Sequence, residues 1–102
     1  MKRFALAVLV AASVGGGAGC ARRSPPMASA SDAQRANIEL AELQQGRSLL
    51  IGKCTNCHKA PMPSDHTAAE WPKKLDEMSA RANLDYMQRS LIEKYLVTMS
   101  TR

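Results

Sequence analysis

Two thiols and an imidazole stand together in Cys54-Thr55-Asn56-Cys57-His58. A Cys-x-x-Cys pair can cycle between dithiol and disulfide, but that use belongs to a strand–helix–strand setting, and no such pattern surrounds it. The same atoms can bind zinc, yet a structural zinc site takes four ligands, and His66 alone does not complete the set. A chance string in a structural loop is the plain alternative. The histidine directly after the second cysteine favours a different chemistry. Each thiol can add across a haem vinyl group to form a thioether, and the adjacent imidazole can then bind the iron. The expectation is one covalent haem c on Cys54 and Cys57, with His58 as an axial ligand.

The elements that must position this string read as helices, and the expected fold class is all-α. Asp32 is an expected N-cap for a first helix, which runs through Ile38, Leu40, Leu43, Leu49, Leu50 and Ile51. Gly46 interrupts it at a cost of about 1 kcal/mol relative to Ala, and leaves room for another helix to pass closely. A second helix is expected to open at Thr67, where Thr67-Ala68-Ala69-Glu70 has the form of a capping box. It continues through Trp71, Leu75 and Met78, with Pro72 tolerated in its first turns. A third begins at Asp85 and carries Met87, Leu91, Ile92, Tyr95, Leu96 and Met99 on one broad face. No strand pattern of useful length and no internal repeat is present.

The N-terminus reads as an export signal. Lys2 and Arg3 precede the apolar run Phe4 to Val14, and small residues follow as far as Gly19. Ala18-Gly19-Cys20 has the form of the end of a bacterial lipobox, although Gly17 stands where an aliphatic residue is usual. Ordinary signal-peptidase cleavage near Cys20 or Ala21 is the alternative. Lipidation gives a purpose to a third cysteine that would otherwise be an exposed thiol. Residues 1–20 are thus an expected signal peptide, with Cys20 its lipidation site. Residues 21–31 (ARRSPPMASAS) have the composition of a flexible tether, and 32–102 form the expected folded unit. A unit of this size is marginal on an apolar core alone, so a buried cofactor would supply part of that core. The formal charge of +5 arises mainly at the N-terminus, since from Ser31 onward ten Lys and Arg face nine Asp and Glu. Nothing in that balance suggests nucleic acid.

With these residues in hand, the stretch over roughly 46–98 resembles bacterial monohaem class I-like cytochromes c. Gly46-Arg47-Ser48-Leu49-Leu50 followed by the Cys-x-x-Cys-His string is similar to the family's first helix and haem loop, with Leu50 where many members carry an aromatic residue. Ile92, Tyr95 and Leu96 resemble the family's C-terminal signature. The resemblance implies that the last helix crosses the first at Gly46 and Tyr95. It also implies a methionine iron ligand just before the last helix, and Met78, seven residues after Trp71, stands there. A thioether ligand raises the reduction potential of haem iron. His66, Met62 and an open sixth position are the other readings, while Met87 and Met99 fit the apolar stripe of the last helix. Pro61 or Pro63 is implied as the carbonyl that orients His58. Trp71 is either a donor to a haem propionate or a plain core aromatic, and Arg47, Lys53 and Arg81 could pair with propionates or stand as solvated surface charge.

The expected function is electron transfer in the bacterial periplasm, with no bond made or broken in a substrate. The expected partners are a donor and an acceptor protein, reached by a monomeric domain on a lipid tether that lets it move between them. A haem enzyme or ligand sensor, with an open or displaceable sixth position, is the alternative.

Overall fold

The computed structural model describes residues 24–54 and 59–102. Among these it is all-helical: α1 (Ala30–Ala36), α2 (Leu40–Cys54), a 3-10 turn over Pro63–Asp65, α3 (Trp71–Arg81) and α4 (Tyr86–Ser100). No helix among the described residues is long and apolar enough to cross a membrane.

The first helix expected from the sequence is two helices. Its start lies upstream of Asp32, because Ser29 is the N-cap and Asp32 is the third residue of a reciprocal capping box. The break falls at Asn37, whose φ of 54° is left-handed. Asparagine tolerates that conformation better than most residues. The turn lets the Ile38 N–H bond back to the Ala33 carbonyl at 3.0 Å and folds Ile38 onto the core. Asn83 ends α3 by the same device: its φ is 54°, the Leu84 N–H donates to Ser79, and Leu84 packs inward.

The start of α3 is also displaced. The Glu70 carboxylate accepts from both the Thr67 N–H (3.1 Å) and the Thr67 hydroxyl (2.8 Å), and a turn over 68–70 leads into the helix at Trp71. Asp85 caps α4 as expected, in a reciprocal pair with Gln88.

The core lies between α2, α3 and α4, and α2 against α4 is the most extensive interface. Leu43, Gly46, Leu50 and Cys54 form the buried stripe of α2, spaced to share one helical face. They meet Trp71 and Leu75 of α3 and Ile92, Tyr95, Leu96 and Met99 of α4. Gly46 is required where α4 crosses. A Cβ there would sit 2.9 Å from Tyr95 Cβ and closer still to the Leu91 carbonyl oxygen. Polar links fasten the rim. Arg89 of α4 reaches the Pro72 carbonyl (3.0 Å) and Asp76 (2.6 Å) of α3, and Lys94 reaches Glu42 of α2 at 3.2 Å.

The expectation of a flexible tether over 21–31 is corrected for its described part. Pro25 and Ala28 are buried. The Pro25 carbonyl accepts from Arg47 Nε at 2.8 Å, and the Pro26 carbonyl accepts from the Tyr95 hydroxyl. Farther along, Arg35 donates to the Thr98 carbonyl (2.9 Å), and Arg102 approaches Asp32 at 3.6 Å. Residues 24–36 therefore form a strap laid over the α2–α4 pair and fixed at both ends.

Candidate functional site

Cys54 is the last residue of α2 and is buried, 8% exposed. Its place follows from helical spacing, because it continues the inward stripe of Leu43, Gly46 and Leu50. Thr55, Asn56, Cys57 and His58, like Cys20, lie outside the described residues.

The chain after the motif is held by Trp71. This side chain is fully buried, and its indole N–H donates to the Pro63 carbonyl at 3.0 Å. Pro63 opens the 3-10 turn, which the Asp65 carboxylate closes by accepting from the Met62 N–H at 2.8 Å. Trp71 thus has a protein partner for its only polar atom, and of its two expected roles it takes that of a core aromatic. The Pro63 carbonyl, a candidate to orient His58, already accepts this bond.

Met78 lies on the same face of α3 as Trp71 and Leu75, half-buried against the core cluster that contains Cys54. His66 is engaged elsewhere. Its ring meets the Trp71 ring edge-on at 4.9 Å between centroids, and its Nδ1 is 3.9 Å from Glu70. The two Thr67 hydrogen bonds, through its hydroxyl and its N–H, hold the Glu70 carboxyl below the usual carboxylate range, with His66 and Lys74 adding to them. Met62 is half-buried beside the 3-10 turn. Met99 is packed in the core as expected, but Met87 is 65% exposed, so its assignment to the packed stripe of the last helix is corrected.

Arg47 bonds to the strap carbonyl of Pro25, which gives it a structural partner that sequence reasoning did not assign. Tyr95 is likewise committed, and burial pushes its phenol up to about 12, so the hydroxyl stays a donor to Pro26 through the physiological range. The signal that could have found both bonds is weak: Pro25-Pro26 brings two carbonyls and no N–H of its own.

The chain matches no protein-family model, and it gives no match among curated proteins or solved structures.

Among the described residues no three His, Cys, Asp or Glu side chains converge as a metal site. A shallow groove lined by Ala41, Gln44, Gln45, Ser48, Leu49 and Leu91 contains none of the sequence-predicted site residues. The described donors are instead a thiol, Cys54, and a thioether, Met78, bordering a common apolar cluster on α2 and α3. A thiol can form a thioether with a haem vinyl group, and a methionine thioether can ligate haem iron. The two described sulfurs are compatible with a haem.

Proposed function

We propose that this chain is a single-haem electron-transfer protein resembling class I-like cytochromes c, exported to the bacterial periplasm and anchored through a lipid on Cys20. The supporting observation is the placement of Cys54. The first thiol of the Cys-x-x-Cys-His string closes α2 on its buried face, two turns beyond the glycine that α4 crosses. Cys54 and Cys57 would hold the haem by thioethers, with His58 and Met78 as axial ligands. The haem, when bound, supplies an iron that gains and loses one electron.

The chain's own residues set the conditions for that exchange. Leu50, Trp71 and Leu75 are buried beside the donors and keep water from the interior. Trp71 fixes Pro63 and so restrains the chain that follows His58. Met78, presented from a helix rather than a loop, offers a thioether that favours the reduced state. With both axial positions filled, no substrate is bound.

An absorption spectrum of the mature protein, oxidised and reduced, tests this. A low-spin six-coordinate spectrum with a methionine–iron charge-transfer band is expected, and a pyridine haemochrome assay should return one covalent haem. High-spin iron that binds carbon monoxide rapidly would instead favour a ligand sensor or enzyme. A mature protein without covalent haem would make it a structural lipoprotein.

A further inference from the structure

The docked strap changes how far the domain can stand from its anchor. Were residues 21–31 a free tether, the chain from Cys20 to Asp32 would span up to about 42 Å. The Pro25 and Pro26 carbonyls are instead held by Arg47 and Tyr95. That leaves Ala21 to Ser24 between Cys20 and the first docked residue, a reach of at most about 18 Å. Arg47 lies seven residues before Cys54 on α2, about 10 Å along the helix axis. Adding the Pro25 carbonyl, its hydrogen bond, the Arg47 side chain and the cysteine side chain, the haem-attachment thiol is confined to within roughly 40 Å of the lipidated residue. Arg22 and Arg23 fall inside this gap, and basic side chains beside an anchor favour anionic headgroups.

We infer that the strap makes the anchor a short leash, which holds the haem-attachment end of the domain within about 40 Å of the bilayer surface. This rests on the proposed anchor at Cys20 and the proposed haem.

Height above the membrane is measurable on the lipidated holoprotein in anionic vesicles carrying a headgroup fluorophore, whose emission the haem quenches by energy transfer. Insertion of twelve Gly and Ser residues between Arg23 and Ser24 is expected to reduce transfer severalfold. The double variant Arg47→Leu, Tyr95→Phe is expected to reduce it part of the way, by releasing the strap. Equal transfer in all three proteins overturns the leash. The underlying readings report separately in the same samples. Flotation with vesicles that persists in Cys20→Ser refutes the lipid anchor, and a wild type that does not float removes the leash with it. A missing Soret band refutes the haem. Exchange of the Arg47 Nε–H, followed by NMR, needs neither: protection supports the docked strap, and exchange at the rate of a free guanidinium overturns it.

Discussion

Gly46 of α2 lies directly against Tyr95 of α4, with room for a hydrogen where a methyl would stand 2.9 Å from Tyr95 Cβ. The Leu91 carbonyl is closer still, and as helix backbone it has little freedom to move aside. Gly46→Ala should therefore push the two main helices apart. Overpacking of this kind costs about 1–3 kcal/mol or more, and the better helix propensity of Ala returns about 1 kcal/mol. Because the clash is with fixed helix backbone, the cost falls at the top of that range, and a net loss of about 2 kcal/mol is expected in urea unfolding. Gly52, on the same helix, has nothing within 4 Å of its would-be Cβ. Gly52→Ala should stabilise by about 0.5–1 kcal/mol, so opposite signs from one substitution type on one helix test the crossing.

That crossing was legible because a glycine in an otherwise good helix and an aromatic in a late apolar stripe each leave a local mark. The Asp85 cap was legible for the same reason, since its partner Gln88 is three residues away. The break at Asn37 was not, because the apolar spacing from Ile38 into α2 masks a single left-handed residue. The strap was hidden more deeply. Pro25 and Pro26 look like linker by composition, and what docks them are donors from Arg47 and Tyr95, 22 and 69 positions away. Local pattern has no access to such partners. Trp71 was placed in the core but its hydrogen bond was not foreseen, for the same long-range reason. At the candidate site Met78 shares the face of Trp71 and Leu75 that its spacing sets, whereas α2 runs past Ile51 to a buried Cys54 that the expected haem loop did not place.

Trp71 ties α3 to the segment after the motif through one bond. In Trp71→Phe the Pro63 carbonyl loses its donor in a buried setting, at a cost of about 1–3 kcal/mol. The aromatic contact with His66 is retained in part. Chemical shifts at Met62 to Asp65 should move more than those of α4's C-terminal turn, as read by two-dimensional NMR. Unchanged shifts at Pro63 and its neighbours would show that the indole does not position this segment.

Asp32 fastens the strap's helix from within. Its carboxylate is 1% exposed and accepts from the Ser29 N–H (2.8 Å), the Ser29 hydroxyl (2.9 Å) and Arg35 (3.1 Å). The Ser29 backbone bond, then the Ser29 and Arg35 side chains, hold its carboxyl below the ordinary 3.8 despite the opposing effect of burial. A lowered folded-state value means that this contribution is complete above the unfolded value and is lost as pH falls through the folded one. Protection of α1 amides should therefore hold from neutrality to about pH 4 and decline below it. Asp32→Asn should lower protection near neutrality, and its difference from wild type should shrink in acid. A constant difference across that range would remove Asp32 as the titrating group.

Met78 is the residue on which the proposed ligation turns. It is half-buried on the α3 face that carries Trp71 and Leu75, and it borders the cluster that includes Cys54. Met78→Ala should abolish the methionine–iron charge-transfer band, lower the reduction potential and open the iron to carbon monoxide, because the thioether is what favours the ferrous state. Met62→Ala and Met87→Ala should leave the band in place, the latter because Met87 stands 65% exposed at the start of α4. His66→Ala should leave it too, since that ring is occupied with Trp71 and Glu70. Truncating a half-buried Met also loosens packing, so loss of stability alone does not identify the ligand. Met78→Leu separates the two effects by restoring the apolar volume without the sulfur. It should regain most of the stability and none of the band, and a band that survives in Met78→Leu would assign the sixth ligand to another residue.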